Sequence, residues 1–342
     1  MSEPSDNYTA VIVSSDVAGG MKPLSCRDLF AHDFPELFWN IAAILAAGTM
    51  LLFGKPKKGK SFLALMIAIC IAAGRPVFGK ATSGKKALYM GLEDSEQRLK
   101  RRAIGCANAL GITPDKFSDN LFVSTTARRI DTGLLEELHK WMAQHPDTGL
   151  IVVDMLKKVT GVQTGRNPYE EQALVGDSLT KFCHAYPELS IIVIHHSRKA
   201  ESDDPFDLAS GTTGLSGSYD SLAAIADTDG ARTLHITGRD IEGAEIPLLM
   251  NDRGMYTLEE PDSEKLLTHT MSDTRRSVYA AVSASMPYTR QQIVNGCGLE
   301  PGTVDQQLKR LTRDGLINKA GRNQYQRTGR RFYDEVNVNA DY

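Results

Sequence analysis

Leu51-Leu52-Phe53-Gly54-Lys55-Pro56-Lys57-Lys58-Gly59-Lys60-Ser61-Phe62-Leu63-Ala64-Leu65 is the stretch whose reading decides the fold. It opens with the apolar run Met50–Phe53 and closes with a longer one, Phe62–Ala73. Between them, Gly54–Ser61 satisfies G-x-x-x-x-G-K-[S/T]. Glycines let such a loop curl so that successive backbone N–H groups point inward at phosphate oxygens. The helix that follows adds its positive N-terminal end. In this pattern Lys60 reaches the β- and γ-phosphates and the Ser61 hydroxyl ligates magnesium. Gly54, Lys57, Lys58, Gly59 and Phe62 complete the expected nucleotide loop, so ATP and Mg2+ are the implied ligands.

Working outward, further short apolar runs read as strands: Ala87–Met90, Asn120–Ser124, Leu150–Val153, Ile191–Ile194, Thr233–Thr237 and Met255–Leu258. Helical stretches lie between them at Glu96–Ala109, Leu134–Gln144 and Glu170–Ala185. Continuously apolar strands spaced by helices predict an α/β core with a mostly parallel sheet covered on both faces. The 342 residues are 42% hydrophobic and 24% charged, which excludes disordered, collagenous and coiled-coil readings. Five scattered cysteines without a CxxC pair suggest neither a disulfide framework nor a zinc site. The start lacks the basic and apolar regions of a signal peptide, and the two apolar runs around the loop are too short to span a bilayer. A cytoplasmic protein with no membrane partner is expected.

Three other strand ends carry chemistry. Asp154 ends the run Leu150-Ile151-Val152-Val153, and an acid there can hold the magnesium ion, directly or through water, beside Ser61. Met155 follows it, so a water-activating base must come from elsewhere. Glu93, in Gly91-Leu92-Glu93-Asp94, is the candidate, because groups at the carboxyl ends of neighbouring parallel strands converge on one crevice. Its other reading, shared with Asp94, is a cap on the helix beginning near Ser95. His195-His196-Ser197-Arg198-Lys199 follows Ile191–Ile194, either as a sensor of the γ-phosphate or as a structural histidine pair.

Together these segments, with Arg98, Arg102 and Gly238-Arg239-Asp240, resemble RecA-like ATPases, specifically the RepA-type hexameric replicative helicases of plasmids and related phage and mobile-element ATPases. The resemblance spans roughly Phe38 to Thr257. It implies a RecA-like P-loop core in which Glu93 is the catalytic base and Asp154 the magnesium acid. His195 or His196 would couple nucleotide state to DNA contact. It further implies a homo-oligomeric, hexameric ring in which a neighbour's arginine completes each site. Arg239 matches best, ahead of Arg232 and Arg198; a surface ion pair with Asp240 or Glu242 is the alternative. Two loops would face single-stranded DNA in the channel. One carries Lys157, Lys158 and Arg166; the other begins at Arg198 and Lys199 and runs through a glycine-rich stretch. Acidic Glu201, Asp203, Asp204 and Asp207 oppose that role for the second loop.

Residues 1–38 read as an N-terminal arm, 39–260 as the ATPase domain, 261–272 as a linker and 273–342 as a second domain. That last segment holds eleven Lys/Arg against seven Asp/Glu, a local net charge of +4 in a chain of net charge -3. Helices are expected at Arg275–Ser285, Arg290–Gly296 and Thr303–Arg313, and strands at Ile317–Ala320 and Arg331–Val336. LKRLTRDGLI looks like a winged helix-turn-helix, which implies a recognition helix exposing Gln306, Gln307 and Arg310 to duplex DNA. Arg322, Arg327, Arg330 and Arg331 would lie on its wing. Winged helices also serve as protein-docking modules. The function implied is a DNA-dependent ring ATPase, a replicative helicase. The alternatives are a non-unwinding loader, recombination mediator or ATP-modulated DNA-binding regulator, with a small-molecule kinase disfavoured by the basic tail.

Overall fold

The computed structural model describes residues 23–161, 168–196, 205–206, 213–228, 231–250, 255–258 and 271–328. A short helix, α1 (Cys26–Ala31), capped by Ser25, precedes the hairpin β1 (Trp39–Ile41) and β2 (Leu45–Ala46). Then come β3 (Gly48–Gly54), α2 (Lys60–Ala72), β4 (Lys86–Gly91), α3 (Glu96–Leu110), β5 (Leu121–Ser124) and α4 (Leu134–Gln144). The core continues through β6 (Thr148–Asp154), α5 (Leu156–Val159), α6 (Pro168–Cys183), β7 (Ser190–His196), α7 (Thr213–Gly217), β8 (Ser221–Thr228), β9 (Ala231–Gly238) and β10 (Ala244–Pro247).

Among the described residues, eight strands form one sheet in the order β10-β9-β8-β3-β7-β6-β4-β5. From β8 to β5 every neighbour is parallel; β9 and β10 add antiparallel edges. β7 separates the strand that enters the phosphate loop from the strand that ends in Asp154. The architecture is an α/β core whose mostly parallel central sheet feeds the phosphate loop from β3.

Side-chain alternation assigns the two faces. Met50 and Leu52 join α2 and α3 in one apolar cluster, while Leu51 and Phe53 join α4, α5 and α6 in the other. α2 is buried all round from Leu63 to Ala72, because it lies between the sheet and α3. α3 starts at Ser95, whose hydroxyl accepts from the Arg98 N–H (3.3 Å), and stops at left-handed Gly111. No helix among the described residues is long and apolar enough to cross a membrane.

In the main sheet β8 and β10 are strands beyond the sequence expectation, and one expected strand is not formed. β8, Ser221-Leu222-Ala223-Ala224-Ile225-Ala226-Asp227-Thr228, is an additional strand, and its alanine-rich run lacks the β-branched signature that marks a strand in sequence. Met255–Leu258 is no strand of the sheet. Tyr256 makes one isolated bridge to Met250, and the Leu258 carbonyl accepts from Phe78 N–H.

Residues 271–328 have a core of their own around Val278, Val282, Ile293, Val304, Leu308, Leu311 and Ile317. They form α8 (Asp273–Ala281), β11 (Tyr288–Thr289), α9 (Arg290–Cys297), α10 (Pro301–Arg313), β12 (Ile317–Gly321) and β13 (Gln324–Arg327). β11, β13 and β12 make a small antiparallel sheet. The hairpin partner of β12 is therefore Gln324–Arg327; the expected strand Arg331–Val336 lies outside the described residues. α8 ends before Ser285, since the Ser283 hydroxyl turns back to accept from the N–H groups of Ser285 and Met286.

Candidate functional site

The parallel register sets the site. Gly54, first residue of the phosphate loop, stands beside His196, and Gly91 stands beside Asp154. The loop leaves β3 through Gly54 at φ +150, where a Cβ would meet the Ile225 carbonyl at 2.6 Å. It enters α2 through left-handed Gly59, an N-cap without a side-chain hydrogen bond. α2 shares the lack of a side-chain cap with α4, α5 and α10, but its first amides open on the glycine-bearing loop, where an anion can take them.

Lys60 is 3% exposed, and its Nζ donates to the carbonyls of Gly54 (2.7 Å) and Lys55 (3.0 Å). Burial lowers its pKa to about 8, opposed by the Asp154 charge. Ser61 Oγ donates to Asp154 Oδ1 (3.1 Å), and the Tyr89 hydroxyl donates to Asp154 Oδ2 (2.6 Å). Asp154 is 4% exposed; burial raises its pKa despite the bonds from Tyr89 and Ser61. The hydroxyl–carboxylate pair is an all-oxygen set of the kind a hard cation takes, so Ser61 and Asp154 fit magnesium.

Glu93 is exposed just past the end of β4. Its charge and that of Asp154 act to raise the His196 pKa, while burial first and then Lys60 lower it. His196 ends β7, Asp154 ends β6 and Glu93 follows the end of β4, so all three lie at the edge of the sheet where the loop carrying Lys60 opens. His195 sits one step back beside Phe53, and burial, His196 and Lys60 push its pKa down to about 4. Of the two histidines, His196 is the one whose cation the charges of Glu93 and Asp154 favour. Arg198 and Lys199 lie outside the described residues.

Asp94 is not a helix cap: Ser95 has that place. Instead Asp94 pairs with Arg102 and, at 3.5 Å, with Arg98. Arg102 also lies 4.6 Å over the Phe62 ring, so the Phe62 side chain takes part in the α2–α3 contact. Lys58 likewise turns outward, pairing with Asp227 at the end of β8. Lys57 is exposed at a positive φ of 65.

The family model of the AAA domain (AAA_25) matches residues 20–202, which include the phosphate loop, Glu93, Asp154 and both histidines. The chain belongs to the AAA domain family. Among solved structures it is similar to an ATPase domain, at 13% identity and TM-score 0.48, covering 62% of this chain and 84% of that one. A DnaB-like replicative helicase, in a structure with its primase interactions, matches at 13% identity and TM-score 0.48 over 63% of this chain. The match spans 58% of that helicase chain. No curated protein matches.

Arg239 lies beyond the matched AAA segment and far from the loop. β9 is antiparallel, with Gly238 beside Ser221, and Ser221 lies beside Met50. Arg239 thus sits at the amino ends of the parallel strands, at the level of Thr49, about 16 Å along the sheet from Gly54. It is 67% exposed and pairs with Asp220 at 3.5 Å, not with the expected Asp240 or Glu242. Arg232, at the other end of β9, contacts Asp227 (3.2 Å) and the Tyr256 hydroxyl (3.5 Å).

Lys157 and Lys158 are exposed on α5, immediately beyond Asp154, whereas Leu156 and Val159 anchor that helix; Arg166 lies outside the described residues. In α10, Gln306 and Arg310 are exposed, but Gln307 is buried, because it shares the inward stripe with Val304, Leu308 and Leu311. Arg322 is exposed in the hairpin turn. Arg327 is not free for phosphate: it stacks on Tyr279 at 4.5 Å and donates to the Tyr279 and Ala280 carbonyls. Arg330 and Arg331 lie outside the described residues.

Tyr89 and Tyr256 escape sequence reasoning, since neither belongs to a local motif. The Asp94–Arg98–Arg102 spacing, one face of a helix, is the one available signal for its ion pairs.

Burial of a charged Lys60 has a measurable cost. Its folded pKa, about 8, lies below the ordinary 10.5, so the unfolded chain binds the proton more tightly between these values. Stability should therefore rise with pH through that window. Lys60→Met should raise the thermal midpoint of the nucleotide-free protein at pH 7, and the gain should fade as the pH approaches 10.5.

Proposed function

We propose that this chain is a DNA-dependent ATPase that works as a ring, a replicative helicase of the RepA type. The observation that carries the reading is the opposed placement of Lys60, Ser61, Glu93, Asp154 and His196 at one end of the sheet and exposed Arg239 at the other. Arg239 has no route to its own phosphate loop, whereas a neighbouring copy stacked against that end would meet it.

In the proposed reaction, the uncapped start of α2 and the loop amides bind the phosphates of ATP, and Lys60 exchanges its loop carbonyls for phosphate oxygens. Ser61 and Asp154 would hold magnesium, which would supply the charge that neutralises the phosphates. Tyr89 orients the Asp154 carboxylate. Glu93 accepts a proton from the attacking water and aligns it with the γ-phosphate. His196, at the end of β7 beside Gly54, hydrogen-bonds the γ-phosphate and passes its presence to the chain beyond β7. Arg239 of the adjoining copy stabilises the charge that builds at the transition state. Lys157 and Lys158 contact single-stranded DNA from the segment after Asp154. Residues 273–342 act as a winged-helix domain that touches duplex DNA with Gln306, Arg310 and Arg322.

Glu93→Gln should still bind ATP, with turnover lower by about 10²-fold or more in a phosphate-release assay. Normal turnover would remove Glu93 as the base. Arg239→Ala and Lys60→Ala chains, each nearly inactive alone, should regain part of the activity when mixed, because some interfaces then pair an intact loop with an intact arginine. Full turnover by Arg239→Ala alone, or no recovery while both chains co-assemble, would overturn the trans assignment. Strand displacement on a forked duplex separates a helicase from a non-unwinding ATPase.

For the C-terminal segment, Arg310→Ala with Arg322→Ala should weaken binding to duplex DNA of any sequence at low salt and flatten its salt dependence. Unchanged duplex affinity would point to protein docking.

A further inference from the structure

The outer side of the phosphate loop is held by a closed circuit of polar contacts. Lys58 Nζ pairs with Asp227 Oδ2, and Asp227 Oδ1 accepts from Arg232 Nε at 3.2 Å. Arg232 Nη1 points at the Tyr256 hydroxyl (3.5 Å), and that hydroxyl donates to the Lys58 carbonyl. Tyr256 is 2% exposed, and its ring lies where a Cβ on Gly59 would come within 2.8 Å. Burial raises the Tyr256 pKa, so its hydroxyl keeps the proton it donates.

The Lys58 carbonyl and the Gly59 N–H belong to one planar trans peptide and point in opposite directions. Holding the carbonyl outward against Tyr256 therefore turns the Gly59 N–H inward. Gly59 is the residue where the loop becomes α2, and at φ +81 its peptide orientation is not enforced by a Cβ. An external hydrogen bond is what restricts it.

We propose that Tyr256 is a positioning residue of the phosphate loop: its hydroxyl pins the Lys58–Gly59 peptide so that the Gly59 N–H faces a bound nucleotide's phosphate. Asp227 and Arg232 hold Lys58 and Tyr256 in that arrangement. The proposal deepens the nucleotide-binding reading and rests on it.

The test compares the full-length chain with Tyr256→Phe and Asp227→Asn, using a fluorescent ATP analogue and steady-state turnover. Tyr256→Phe keeps the ring against Gly59 and removes the donor alone. Affinity for the analogue should fall about three- to tenfold, the worth of one hydrogen bond. KM for ATP should rise by the same factor, with kcat at saturation changing less than about twofold, because the peptide is set before chemistry begins. Asp227 is 44% exposed, so Asp227→Asn should fold normally and give a smaller loss in the same direction. A purely structural tyrosine would lower the unfolding midpoint without this KM shift. Unchanged affinity and KM in both variants, beside normal binding by the unmodified chain, would overturn the proposal alone. Absence of binding by the unmodified chain would overturn the nucleotide reading and the proposal with it.

Discussion

Parallel registration of β3, β7, β6 and β4 is the constraint on which the rest depends. It puts Gly54 beside His196 and Asp154 beside Gly91, so segments far apart in sequence end at one edge. A parallel sheet can do this because each strand returns through a helix, here on both faces, and all carboxyl ends open the same way. The two apolar clusters that grip the faces prevent a one-residue slip, which would turn Leu52 and Ile192 toward the wrong layer.

Within that edge, buried polar groups stand in a tight balance. Asp154 and Lys60 both lose water, and burial shifts each toward its neutral form. Their attraction and the hydroxyls of Tyr89 and Ser61 offset part of that cost. The Tyr89 hydroxyl reaches both Asp154 Oδ2 and the Ser61 carbonyl (3.2 Å), so one side chain of β4 ties β6 to the start of α2. The Asp94 side chain, 6% exposed, is matched by Arg102, which braces the corner beside the exposed Glu93.

β9 links two environments of opposite kind. At its start Arg232 joins Asp227 and Tyr256 behind the phosphate loop. At its far end Arg239 projects into solvent beyond the amino ends of the parallel strands. Backbone pairing to β8 along its whole length keeps these ends at a fixed separation.

The chain's local patterns alone determined the α/β class, the phosphate loop and its flanking strand and helix. They also placed Asp154, Glu93 and the histidine pair at strand ends. Each of these is a short-range signal: glycines where the backbone must curl, apolar runs where a strand is buried on both faces, and a polar residue where the run stops. Only the tertiary structure decided how these residues are used. Lys58 and Phe62 have the right positions in the loop, yet partners on β8 and α3 claim their side chains. Gln307 falls on the inward face of α10, and Arg327 folds onto α8. The alanine-rich β8 becomes a strand because β3 and β9 hydrogen-bond it on both sides. Tyr256 reaches Gly59 across nearly two hundred residues. Such contacts arise from packing between distant segments, and no local spacing encodes them.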